Sequence, residues 1–122
     1  MNGKADPRRN RWHFEDMLEY AREAMSILAG RTLEQIEKDR TAQLALFRCL
    51  EVFGEAANRV ALEHRALYPE MPWKDSVSTR NRLIHGYDTV RLDMVHKVIT
   101  RELPPLIPVL EKILATFPKP EA

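Results

Sequence analysis

The chain has 122 residues, 44% of them hydrophobic, with four glycines, which suits one domain around a single ordinary core. Nineteen basic against eighteen acidic side chains leave a net charge of +1, which excludes the global basic field of non-specific nucleic-acid binders; any nucleic-acid contact must be local. A lone Cys49 excludes an internal disulfide, and there is neither a signal-like apolar run nor the ~20 apolar residues of a membrane span, so a cytoplasmic protein with no membrane partner is expected.

Residues 1–11 contain Gly3, Pro7 and the basic Lys4, Arg8, Arg9 and Arg11, with almost nothing apolar to bury. They read as a disordered basic tail that solubilises more often than it binds, ahead of a folded domain over residues 12–122. In the first helix Phe14, Leu18, Ala21, Met25 and Leu28 recur at four-three spacing, Glu15, Glu19, Arg22 and Glu23 face away, and Gly30 supplies a left-handed stop. Thr32 and Gln35 resemble a capping box that carries Leu33 and Ile36 onto the core. A long helix follows from about Asp39 to about His64, with Leu46, Leu50, Phe53, Ala57 and Val60 inside. Arg48, Glu51, Glu55, Arg59 and Glu63 form a ladder of alternating sign on another face, as solvated surfaces do. Gly54 costs such a helix about 1 kcal/mol relative to Ala, so another backbone is expected close beside it.

Pro72 opens a helix through Trp73 to about Gly86, and a final helix begins near Leu92, with Leu92, Val95, Ile99, Leu106, Leu110 and Ile113 inside and an interruption at Pro104 and Pro105. The pattern holds no repeat and no alternation long enough for a strand. The expected fold is all-α, an antiparallel bundle of four to five helices.

Chemistry concentrates in the helix after Pro72. Trp73, Val77 and Ile84 recur at helical spacing, Tyr87 continues the line, and Arg80 stands where an apolar side chain belongs. A guanidinium on a packing stripe needs an anion, either an internal carboxylate, with Glu55 the best candidate, or a bound phosphate. At about 100° per residue Arg80 and Tyr87 lie within ~20° of each other, whereas Arg80 and His85 differ by ~140°. A shared cleft therefore requires unwinding at Gly86 or a two-fold dimer, for which the surface near Gly54 and the end of this helix is the expected contact. Arginine with histidine suits phosphoryl chemistry, the one binding phosphate oxygens and the other moving a proton, and RNA brings its own 2′-hydroxyl nucleophile. Asp75 and Ser76 sit one turn earlier, where they either orient Arg80 or complement the helix dipole. From spacing alone, the blander roles of helix capping for His85 and ion pairing for Arg80 are favoured. Cys49, His13, His64 and His96 lack companions at catalytic or metal-ligand spacing and read as structural or surface residues; no metal or cofactor motif is found.

Arg80-x4-His85-x-Tyr87 matches the Arg-x4-His-x-Tyr signature of the HepT toxins of the HEPN superfamily, and the string Arg80-Asn81-Arg82-Leu83-Ile84-His85-Gly86-Tyr87 looks like their wording. Gly54-Glu55-Ala56-Ala57, Pro72-Trp73, Asp39 and Leu103-Pro104-Pro105-Leu106 follow in the family's order, so the resemblance covers roughly Phe14 to Leu114. It implies a homodimeric, metal-independent ribonuclease toxin with Arg80 and His85 catalytic in a cleft between subunits; beside them Glu55, Asn81 and Ser76 are taken as supporting residues. It also implies a MntA-type nucleotidyltransferase antitoxin that silences the toxin by placing AMP on Tyr87. The alternative is a non-catalytic module whose pocket docks the nucleotidyltransferase and accepts the nucleotide. Near-neutral charge leans towards the module, and the arginine-histidine pairing towards the enzyme.

Overall fold

The computed structural model describes residues 6–85 and 91–118, with His85 seen through its backbone only. Within them the chain is helical without strands: α1 (Arg9–Leu28), α2 (Leu33–Glu37), α3 (Arg40–Arg59), α4 (Leu62–Arg65), α5 (Trp73–His85), α6 (Leu92–Lys97), a π-helical turn (Val98–Glu102) and α7 (Leu106–Ala115). Helix α3 lies centrally, with α1 on one side and α5 on another, and α7 closes over α1. The all-α bundle is as expected.

Helix α1 begins earlier than the tail reading allowed. Arg9, Asn10 and Arg11 are already helical, because Asn10 is buried and its side chain meets His64 Nδ1 at 3.1 Å, tying this turn to α4. Residues 1–5 lie outside the described residues. The buried stripe runs Phe14, Met17, Ala21, Ala24, Leu28, so Met17 and Ala24 replace the expected Leu18 and Met25, which pack only partly. The left-handed stop is shared by Ala29 (φ 45°) and Gly30 (φ 75°). Thr32 and Gln35 form the reciprocal capping box, and the Asp39 carboxylate caps α3 at Ala42 N, 3.0 Å, while pairing with Arg31.

The long helix expected to reach His64 stops at Arg59. Val60, fully buried, turns extended (ψ 122°), and the Arg65 guanidinium donates to the carbonyls of Val60 (2.9 Å) and Asn58 (3.0 Å). That side chain satisfies acceptors a helix end leaves open, which lets the chain turn while Val60 stays in the core. Trp73 is anchored beside it, its indole N–H donating to the carbonyls of Arg65 and Tyr68 while its ring meets Phe14 edge-on. The proline interruption is real: Leu103 N reaches back five residues to Val98 O (2.9 Å), so the π turn ends the helix before Pro104 and Pro105, and α7 restarts at Leu106. Val95, Ile99, Leu103, Leu110 and Ile113 remain buried across the break.

Candidate active site

Helices α3 and α5 cross at Gly54. A Cβ there would stand 2.3 Å from Arg80 Cβ and 2.7 Å from the Ser76 carbonyl oxygen, distances no packed atoms occupy, so only glycine admits this crossing. The close backbone expected at Gly54 therefore belongs to the same chain. This corrects the expectation that Gly54 marks a dimer contact: α5 already fills its surface. The crossing also resets the face of α5. Ser76 and Leu83 are buried with Arg80 between them, whereas Ile84, expected on the packing line, is 39% exposed. Ser76 is thus placed at the contact, and no side-chain hydrogen bond joins its hydroxyl to Arg80 among the described residues.

Arg80 carries charge out of this contact. Its Nη2 lies 2.7 Å from Glu55 Oε2, the internal partner expected, and its Nη1 donates to Asn81 Oδ1 at 2.8 Å. The other Glu55 oxygen accepts from Arg59 Nε at 3.1 Å. The Arg80–Glu55 contact is ionic rather than well aligned: Glu55 Oε2 and Arg80 Nε are both buried without a hydrogen-bond partner among the described residues. Arg59's hydrogen bond and then the Arg80 charge hold the Glu55 carboxyl below its ordinary 4.5, against the opposing effect of burial. A carboxyl depressed on folding adds stability that is present above its unfolded pKa and lost as pH falls through the folded one. Glu55→Gln should accordingly lower the melting temperature near pH 7, and the gap from wild type should narrow progressively in melts taken at successively lower pH below 4.5. A constant gap would mean that Glu55 acts by packing alone.

The Arg80 side chain, 22% exposed, borders an open cleft of about 490 Å³ between α1, α3 and α5. Trp12, His13 and Asp16 of α1 form one wall, Arg48, Glu55 and Arg59 of α3 another, and Ile84 the rim. Trp12 and His13 were missed from sequence, where His13 had no visible companion. Their signal was an aromatic and an imidazole side by side at the start of a helix. Burial, then the Arg59 charge, lowers the His13 pKa from 6.5 while Asp16 opposes, which favours the neutral imidazole. Helix α5 runs through His85, but the His85 side chain is not described, and Gly86 and Tyr87 lie outside the described residues.

The other sequence candidates are structural. His64 meets Asn10, His96 Nε2 lies 3.0 Å from the Arg31 carbonyl, and buried Cys49 has its thiol pushed up to about 11 by desolvation. Among the described residues no three His, Cys, Asp or Glu side chains are grouped to hold a metal ion, and no helix is long and apolar enough to cross a membrane.

The profile of the family described as "Ribonuclease HepT-like" matches residues 17–113. The chain belongs to the HepT-like ribonuclease family. Within the HepT-like span fall Gly54, Glu55, Ser76, Arg80, Asn81, His85 and Tyr87, whereas Trp12 and His13 precede it. A probable ribonuclease HepT of Thermococcus cleftensis is 31% identical over 103 residues, covering 81% of this chain and 94% of that one. A candidate RNase of Caldanaerobacter subterraneus is 30% identical over 102 residues, covering 84% of this chain and 91% of its own length. A candidate RNase of Methanocaldococcus jannaschii is 31% identical over 99 residues, with 81% and 82% covered. No solved structure matches this HepT-like chain.

Proposed function

We propose that this HepT-like protein is the toxin of a toxin–antitoxin pair and cleaves RNA by metal-independent acid–base chemistry. One observation carries the reading: the guanidinium on the packing face of α5 is not sealed in the core but borders an open cleft, with Glu55 and Asn81 fixing its orientation. Arg80 binds the scissile phosphate and stabilises the charge that grows on it. His85 transfers the proton as the RNA 2′-hydroxyl attacks phosphorus and the 5′-oxygen leaves, giving a 2′,3′-cyclic phosphate. Since α5 remains helical between Arg80 and His85, the ~140° between these positions favours a homodimer whose second subunit completes the cleft. Purified protein incubated with total RNA and a chelator should leave cyclic phosphate ends. Activity lost on chelation and restored by a divalent ion would remove this mechanism.

The toxin's silencing follows from the same pocket. A MntA-type nucleotidyltransferase would transfer AMP from ATP to the Tyr87 phenol, with pyrophosphate leaving, and the new phosphodiester would carry a negative charge of the kind a guanidinium such as Arg80 pairs with. Incubation with a cognate nucleotidyltransferase, ATP and magnesium should add AMP masses that map to Tyr87, and Tyr87→Phe should stay unmodified. An equally modified Phe variant would make Tyr87 a packing residue.

A second reading, the non-catalytic docking module, is favoured by the balance of charge in the cleft. Arg48, Arg59 and Arg80 face Asp16, Glu51 and Glu55, so the wall is not strongly attractive to RNA. Absence of cleavage together with nucleotidyltransferase binding would select it.

A further inference from the structure

Arginines that read as a solubilising tail are folded against the far end of the chain. Arg8, Arg9, Arg11 and Trp12 meet Phe117 and Pro118 around a second open cleft, of about 460 Å³. Trp12 is 58% exposed and also lines the Arg80 cleft, so one indole stands between the two. Among the described residues, three guanidinium groups and one carboxylate, that of Asp6, line this second cleft. Arg8 pairs with Asp6 at 3.1 Å, and Arg11 pairs with Glu15 at 3.2 Å and donates to the Pro118 carbonyl. Arg9 is exposed and has no ion-pair partner among the described residues. The arginines and Trp12 lie ahead of residue 17, where the family match begins, and Phe117 and Pro118 lie after residue 113, where it ends.

We infer that this surface is a single-stranded RNA subsite. A base next to the scissile phosphate stacks on Trp12, and the phosphates beyond it bind Arg9 and Arg8, so the strand leaves the Arg80 cleft across the indole. The inference rests on the ribonuclease reading above. Single strands are the fitting occupant because they expose the base faces that a duplex hides, and an exposed aromatic beside unpaired positive charge is the pairing they need. The arrangement gives a chain of near-zero net charge a local grip on RNA. Stacking accepts every base, so affinity rises without sequence preference.

The test uses the full-length protein and a labelled 2′-O-methyl oligoribonucleotide, which lacks the nucleophile and binds without being cut. Trp12→Ala should weaken binding by about tenfold or more, and Trp12→Phe should recover most of it. Arg9→Ala should make the dependence of log affinity on log salt shallower by about 0.7. Tryptophan fluorescence should be quenched on binding in the wild type and not in Trp12→Ala, because Trp73 is half-buried with its N–H engaged. Equal affinity of Trp12→Ala and wild type would overturn the subsite, as would a change of assembly state on a sizing column with RNA affinity intact, which would make Trp12 a subunit contact. Cleavage of unmodified RNA is followed in parallel. Trp12-dependent binding without cleavage sinks the ribonuclease reading and leaves the subsite, whereas cleavage by Trp12→Ala at unchanged KM does the reverse.

Discussion

Arg80→Ala should lower RNA cleavage at least about 100-fold while the chain stays folded. Removing one donor that stabilises charge in a transition state costs that much or more in turnover, whereas an ion pair that still borders solvent is worth only about 1 kcal/mol of stability. Glu55 would keep the Arg59 hydrogen bond on Oε1, and truncating Arg80 opens the cleft to water at Oε2, the oxygen it leaves. A shift of a few degrees in melting temperature is therefore expected. Arg80→Lys should not rescue turnover, since an ammonium cannot hold Glu55, Asn81 and a phosphate with one planar group. Circular dichroism melts beside single-turnover cleavage rates decide the point. Unfolding of Arg80→Ala, or cleavage near the wild-type rate, would return Arg80 to a structural role.

Gly54→Ala should destabilise the protein markedly, although it adds a single methyl group. Alanine gains about 1 kcal/mol of helix propensity over glycine in mid-helix. Against this, the new methyl would lie 2.3 Å from Arg80 Cβ and 2.7 Å from a backbone oxygen of Ser76, so α5 must move bodily. Overpacking of this kind costs roughly 1–3 kcal/mol and more when backbone is the obstacle, so the steric effect wins. The melting temperature should fall by roughly 5–10 °C. Cleavage should fall further than stability accounts for, because Arg80 rides on the displaced helix. A variant that melts like wild type and only changes its assembly state on a sizing column would restore the dimer role first expected of Gly54.

Much of the fold was legible because it depends on local chemistry. The capping box at Thr32 and Gln35, the Asp39 cap, the left-handed stop at Gly30 and the break at Pro104 and Pro105 are written within a few residues of where they act. Boundaries that hang on distant contacts were not legible. Val60 leaves its helix because Arg65 folds back on the free carbonyls, and Arg9–Arg11 join α1 because Asn10 finds His64, more than fifty positions along. The stripe of α5 was rotated by a residue and that of α1 shifted at two of five positions, since several faces of a short amphipathic helix satisfy the same spacing and the neighbours choose among them.

The site divides in the same way. By itself the sequence determined that a guanidinium stands on a packing stripe, that Glu55 is its carboxylate, and that the Arg-x4-His-x-Tyr motif marks a HepT-like chain, because residue type and spacing carry those facts. Only the tertiary structure decided that Gly54 serves a crossing within the chain, that Ile84 turns outward while Leu83 is buried, and that Trp12 and His13 share the Arg80 cleft. Those outcomes depend on which helix lies against which, and a backbone approach that forbids a single methyl leaves no periodicity in the sequence from which it could be read.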